Sequence, residues 1–200
     1  MNRGENETSL ADKDAQSLAA ASQAGDAAAF DKLVLMYKDK IYNLCYRFLA
    51  DHAEAEDAAQ DVFMKVYTSI NTFRFQSSFS TWLYRIAVNT CKNRLKSFNW
   101  RSIIRAFTGG ASTDEDVFPE IPDARPTPDK QMENAQLTKA IEQAIATLPA
   151  PQRVVTVLRD IEGFSYEEIS DITGYNPGTV KSKLSRARQA LRDKLKDAVR

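Results

Sequence analysis

Lys181, Ser182, Lys183, Ser185, Arg186 and Arg188 lie close together near the C-terminus. All are donors. Lysine carries a mobile ammonium, arginine a planar fork that can hold both acceptors of a guanine edge, and serine a hydroxyl that reaches phosphate or base. The chemistry such a set supports is recognition of an anionic polymer. A second set lies in the aromatic and basic stretch 73–107. Its candidates for base contact are the loop from Phe75 through Gln76, Ser77 and Ser78 to Phe79 and the amides Asn89 and Asn93, with Lys92 among its cations. Aromatics mixed with amides and cations suit single-stranded nucleic acid, whose bases stack or flip into a pocket. A third set, Glu56, Asp57, Gln60 and Asp61, is mostly acidic and so a poor DNA contact. It reads as a solvated face or as a docking site for a basic protein partner.

The elements that must position these groups are helical. Phe30, Leu33, Val34, Tyr37, Ile41, Leu44, Cys45, Phe48 and Leu49 recur at three- and four-residue spacing, and Ala55, Ala58, Ala59, Val62, Phe63, Val66, Tyr67 and Ile70 repeat the pattern. Asp51 to Glu54 forms a loop or cap between them, and a third helix starts at an N-cap at Ser80 or Thr81 and runs to about Ser97. Trp82, Ile86 and Phe79 read as core. Periodicity resumes at about Ala135 with Leu137, Ile141, Ile145 and Leu148. Near the end, Ser165 and Glu168 form a capping box, and Ile169 and Ile172 point inward. Gly174 supplies a positive-φ turn, Asn176 a cap and Pro177 a first-turn proline. The next helix buries Val180, Leu184, Ala187 and Leu191. Two short helices about a glycine, the second basic, read as a helix-turn-helix whose second helix enters the major groove. An ordinary helical hairpin with a solvated basic face is the bland alternative.

Charge is partitioned along this motif although the 200-residue chain has zero net charge. Residues 176–200 hold eight basic side chains and two acids, whereas 159–175 hold five acids and one arginine. The basic side suits phosphate, and the acidic helix faces away from DNA. A neutral chain also binds DNA weakly by itself, because phosphate neutralisation drives non-specific binding.

The domain reading is a loose tail at 1–24, helical near its end, a helical domain at 25–107, a linker at 108–134 and a second helical domain at 135–200. The linker has adjacent glycines and four prolines, and acids dominate its charge; such a segment buries too little apolar surface to order itself. The fold class is all-α. Cys45 and Cys91 have no CxxC spacing, so neither a zinc site nor a disulfide framework is expected, and a reducing cytosol fits. Cys45 reads as core. Cys91 reads as a buried helix cysteine, with redox sensing as its alternative. The N-terminus has no apolar leader and no segment is long enough to span a bilayer. The lone His52 reads as a surface residue. No cofactor is called for, and no acid–base or metal cluster supports an enzyme.

Three stretches carry a resemblance: DAAQDVFMKVY, FSTWLYRIAVNTCKNRLK, and LPAPQRVVTVLRDIEGFSYEEISDITGYNPGTVKSKLSRARQALRDKL. In order and spacing they resemble bacterial extracytoplasmic-function sigma factors of the sigma-70 family, over about 25–97 and 136–195. The resemblance implies a cytoplasmic, non-catalytic subunit of RNA polymerase, monomeric when free. Glu56, Asp57, Gln60 and Asp61 would bind a coiled coil on the polymerase clamp; Asp61 stands where many relatives have glutamate. Residues 75–80 with Asn89, Lys92 and Asn93 would capture a flipped non-template base at the −10 element. Lys181, Ser182, Lys183, Ser185, Arg186 and Arg188 would bind the −35 element in duplex form, with Ser185 at a position where some relatives carry an aromatic. The apolar surface at 154–161 would dock on the polymerase flap, and the acidic linker would thread the RNA exit region. An anti-sigma factor, often membrane-anchored in the family, is the implied inhibitor. The competing reading is a stand-alone helix-turn-helix regulator that binds duplex DNA without polymerase.

Overall fold

The computed structural model describes the backbone of residues 3–107 and 140–198, and the side chains of 12–96 and 140–196. The linker read at 108–134 lies outside the described residues, as do Leu137 and the side chains of Arg101 and Arg105. The described chain is helical. In order come α1 (Arg3–Gln23), α2 (Ala27–Leu49), α3 (His52–Ser69), a 3-10 turn (Ile70–Thr72) and α4 (Phe79–Phe107). A short helix α5 (140–146) follows, then α6 (Ala150–Thr156), a π turn (Val157–Ile161), α7 (Tyr166–Thr173) and α8 (Pro177–Ala198).

α2, α3 and α4 build the core of the N-terminal unit. Leu33, Ile41, Leu44 and Phe48 from α2 meet Ala55, Ala58, Val62 and Val66 from α3 and Leu83, Ala87 and Val88 from α4. Asp26 and Asp51 cap α2 and α3 by accepting from the backbone N–H groups of Ala29 and Glu54, which satisfies donors that a helix start leaves unpaired. Cys45 and Cys91 are both buried here, their sulfurs 3.6 Å apart; that contact and burial push the Cys91 thiol pKa up.

The motif at 165–191 folds as its local signals require. Ser165 and Glu168 exchange both capping-box bonds. Gly174 has φ 76°, its N–H donating to Ser170 O. Asn176 Oδ1 accepts from Thr179 N at 2.8 Å. Val180, Leu184 and Ala187 are fully buried against α6 and α7.

Several expectations are corrected. Within the stretch read as a loose tail, helical near its end, the described residues are helical from Arg3, and α1 packs on α2 and α4, with Ala15 and Ala19 wholly buried and Leu18 partly so. Alanines four residues apart let two helix backbones approach closely, and that packing has little hydropathy signal. The cap of α4 is Ser78, whose Oγ accepts from Thr81 N at 3.1 Å. Tyr67, placed on the inward face by periodicity, is 59% exposed. Ile141 is exposed as well. Ile86 is only partly buried, whereas Phe79 and Trp82 are core. Val154, Val155, Val157 and Leu158 are buried, so of the apolar residues in the segment 154–161, read as a flap-docking surface, only Ile161 is exposed.

Core and surface leucines should therefore behave differently. Leu44→Ala is predicted to cost about 2–5 kcal/mol, and Leu35→Ala, at a site 64% exposed, to stay within about 0.5 kcal/mol. Urea unfolding checks this; equal midpoints for the two variants would contradict the packing described.

Candidate nucleic-acid and protein interfaces

The loop before α4 is built by aromatic packing. Phe73 and Phe79 are buried at its two shoulders, and each lies against Trp82, at ring separations of 5.3 and 5.8 Å. Between them the chain turns back through Phe75, whose φ is 57°, a left-handed conformation that costs a non-glycine residue about 1–2 kcal/mol. The turn leaves the Phe75 ring 42% exposed while its centroid stays 4.7 Å from that of Phe73. Gln76 is exposed beside it. Ser77 and Ser78 are partly buried, and the Ser78 hydroxyl is held by its capping bond and by contacts to Ser80 and Thr81. Of this set, Phe75 and Gln76 are the groups open to an unpaired base.

α4 then divides its residues among faces. Asn89 and Asn93, one turn apart, are exposed together with Arg85 and Lys96. Lys92 is turned elsewhere. Its Nζ donates to the carbonyl of Thr173 at 3.2 Å, at the end of α7, and lies 5.3 Å from the Tyr175 ring. Burial, with Lys96 nearby, lowers its pKa. The third face carries Arg94, which bridges two acids of α3, Glu54 at 2.9 Å and Asp61 at 2.5 Å. Those hydrogen bonds, Asp61 first, raise the arginine pKa.

The acidic set on α3 is thereby divided. Asp61 faces α4. Glu56 and Gln60, four residues apart, rim an open groove between α2 and α3 whose floor is Phe30, Val34, Ala59 and Phe63. Met64 and Tyr67 extend that floor and are largely exposed. Asp57 is exposed outside the groove lining. Sequence reading missed these apolar members. Met64 lies out of phase with the buried stripe, which was the available signal; Tyr67 lies in phase and gave none.

On α8 the basic set also separates. Ser182, Ser185 and Arg186 share an exposed face. Among the described residues Arg186 has no ion-pair or hydrogen-bond partner. Arg188 holds Asp160 through two nitrogens, at 3.2 and 2.5 Å, and this pairing raises its pKa. Lys181 leans toward the Tyr166 ring at 5.6 Å and Lys183 toward that of Tyr175 at 5.1 Å.

The two units touch along α4 and α7. Tyr84, buried on α4, donates to Glu162 at 2.5 Å and packs edge-on against Phe164; burial and Glu162 raise its pKa. Thr81 reaches Glu168 at 3.4 Å. Arg153, buried on α6, donates to the carbonyls of Phe48 and Arg47 in one unit and Ala146 and Leu148 in the other. His52 lies at the surface, bonded to the Tyr42 hydroxyl and stacked on Tyr46. No group of three or more His, Cys, Asp or Glu residues that could hold a metal occurs among the described residues. No helix among them is long and apolar enough to cross a membrane.

The chain matches the family described as Sigma-70 region 2 over residues 33–118 and that described as Sigma-70, region 4 over 138–191. It is 38% identical over 188 residues to RNA polymerase sigma-H factor of Pseudomonas aeruginosa, covering 92% of this chain and 95% of that one. It is 39% identical over 173 residues to the ECF RNA polymerase sigma factor SigW of Bacillus subtilis, covering 86% and 92%. Among solved structures it is similar to the sigma factor RpoE of Bartonella quintana, crystallised with the anti-sigma factor NepR, at TM-score 0.64 and 26% identity, covering 84% of this chain and 96% of that one. CnrH, solved with the cytosolic domain of CnrY, shares the fold at TM-score 0.65 and 21% identity, over 92% and 98%. With relatives of one kind aligned along nearly its whole length, the protein belongs to the extracytoplasmic-function sigma factors of the sigma-70 family, alternative sigma factors that direct RNA polymerase to promoters and promote initiation.

Proposed function

We propose that this sigma factor divides its work between the two units, 25–107 and 135–200, and that it supplies recognition while the polymerase supplies the chemistry. The observation that carries the division is the separation of exposed groups by type. The N-terminal unit presents an aromatic loop beside paired asparagines, and the C-terminal unit presents a hydroxyl and guanidinium face on a capped helix-turn-helix. Phe75 and Gln76, with Asn89 and Asn93, take an unpaired non-template base at −10. Capture in such a pocket offsets an unstacking cost of a few kcal/mol. Ser182, Ser185 and Arg186 face the major groove at −35, while Lys181 and Lys183 reach phosphate. Glu56, Asp57 and Gln60 meet the clamp coiled coil at the rim of the α2–α3 groove, and Phe63, Met64 and Tyr67 add apolar area. An anti-sigma factor binds this chain as NepR binds its Bartonella relative, and the protein works in the cytoplasm.

Run-off transcription with purified core RNA polymerase on pooled genomic fragments tests the whole reading. New start sites that require the protein are expected. Tight duplex binding by the protein alone, without new starts, would favour a stand-alone regulator.

The units cannot read both elements in the arrangement described. Elements about 25 base pairs apart lie about 85 Å apart at a rise of ~3.4 Å per pair, whereas Lys92 and Lys183 lean on the same Tyr175 ring. Promoter binding therefore requires the α4–α7 contact to part. X-ray scattering of the free chain should give a radius of gyration near the roughly 17 Å of a compact 200-residue body. Pairing Tyr84→Phe with Glu162→Ala should enlarge it; a wild-type chain already as extended as this variant would show that the contact does not hold the units together.

The two arginines of α8 should differ. Arg186→Ala is predicted to weaken −35 binding by about 1–3 kcal/mol without altering affinity for core polymerase. Arg188→Ala should lose far less, because its guanidinium is already paired with Asp160. Footprinting of holoenzyme at a mapped promoter checks both, and equal losses would overturn the distinction.

A further inference from the structure

α1 has no part in the recognition just described, and the region 2 match begins only at residue 33. Yet its side chains reach both shoulders of the aromatic loop. At the entrance, the Gln23 amide donates to the carbonyls of Ile70 at 2.7 Å and Phe73 at 2.8 Å. At the exit, Asp12 accepts from the Ser80 hydroxyl at 2.9 Å. Ser80 in turn contacts Ser78 at 2.9 Å, and Ser78 caps α4 through Thr81 N. One rigid helix thus holds the chain on either side of a turn that carries a left-handed Phe75. Residues 12 and 23 are eleven positions apart, about 16 Å along a helix at 1.5 Å per residue, so the two grips clamp the loop across its width.

The grips are specific in kind. Gln23 adds a second donor to the Ile70 carbonyl, which already accepts from Phe73 N–H, and satisfies the Phe73 carbonyl just past the 3-10 turn. The Asp12–Ser80 bond has a charged acceptor, which makes it stronger than a neutral pair. Ala15 and Ala19, buried between the two grips, seat α1 closely enough for both to form. The Phe75 turn is therefore held from outside, as a strained conformation at a binding site must be.

We propose that α1 is a splint for the −10 loop, and that Asp12 and Gln23 are positioning residues for base capture although neither touches DNA. The inference rests on the −10 reading above. The splint sets the angle at which the exposed Phe75 and Gln76 meet an unpaired base. Loss of it leaves polymerase docking intact, since the α2–α3 groove lies elsewhere, and lowers strand opening.

The test uses holoenzyme reconstituted from the full chain and core RNA polymerase, on the strongest promoter mapped by run-off transcription. Permanganate reactivity of unpaired thymines near −10 reports opening. Core affinity and thermal midpoint are measured on the same preparations. Asp12→Leu and Ser80→Ala are each expected to lower open-complex yield about tenfold, the factor that accompanies loss of a hydrogen bond to a charged group. Their combination should lower it no further than Ser80→Ala alone, because the Asp12–Ser80 bond is common to both while the Ser80–Ser78 contact is lost only with Ser80. Asp12→Asn retains an acceptor oxygen without the charge and should restore opening in part, to a level between Asp12→Leu and wild type. Unchanged opening in Asp12→Leu, or a loss that merely parallels a fall in core affinity or thermal midpoint, would overturn the proposal. A wild-type holoenzyme that opens no promoter would instead defeat the −10 reading itself.

Discussion

Tyr84 is buried on both sides of its ring, and its hydroxyl has to be satisfied where water is excluded. Glu162 of the opposite unit accepts that proton at 2.5 Å, and Phe164 packs on the ring edge. A buried phenol without an acceptor would cost about 1–3 kcal/mol, so this pair ties the geometry of α4 to that of α7. The rest of the site follows from which way α4 is then turned. One face goes to α7 and takes Lys92 with it; another goes to α3 and takes Arg94; the remaining face presents Asn89 and Asn93.

Electrostatics in this chain is a matter of pairing more than of totals. Eight basic residues near the C-terminus suggest a uniformly positive helix, but they are unequal in the fold. Arg188 is tied to Asp160, two lysines lie against tyrosine rings, and the exposed Arg186 has no ion-pair partner among the described residues. The acids of α3 divide likewise, Asp61 to Arg94 and Glu56 to the rim of an apolar groove. Exposed ion pairs of this kind add little stability. Their consequence is orientation, because they decide which charged groups can meet a partner.

The helix-turn-helix was legible because its signals are local. A capping box spans three residues, a positive-φ glycine needs only its own missing Cβ, and a proline at a first turn needs only its fixed φ; Ser165, Gly174 and Pro177 each act within one turn of helix. α1 was misread for the opposite reason. Its stability comes from Ala15 and Ala19 pressed against other helices, and small residues leave almost no hydropathy pattern. At 154–161, where the resemblance implies a docking surface, Val154, Val155, Val157 and Leu158 are core, because a resemblance places a segment without saying which of its side chains the fold turns inward.

The amino-acid sequence by itself determined the helical class, the capped motif near the C-terminus, the segregation of acid from base, and the kinship carried by three long stretches. These depend on neighbours a few positions apart. Tertiary structure alone decided that α1 braces the aromatic loop, that Lys92 faces α7 rather than solvent, that Asp61 and Arg188 are already paired, and that Met64 and Tyr67 line a groove. Each of those depends on groups far apart in the chain, Asp12 with Ser80, Tyr84 with Glu162 and Lys92 with Thr173, whose meeting is set by how whole helices pack and not by any residue's own preference.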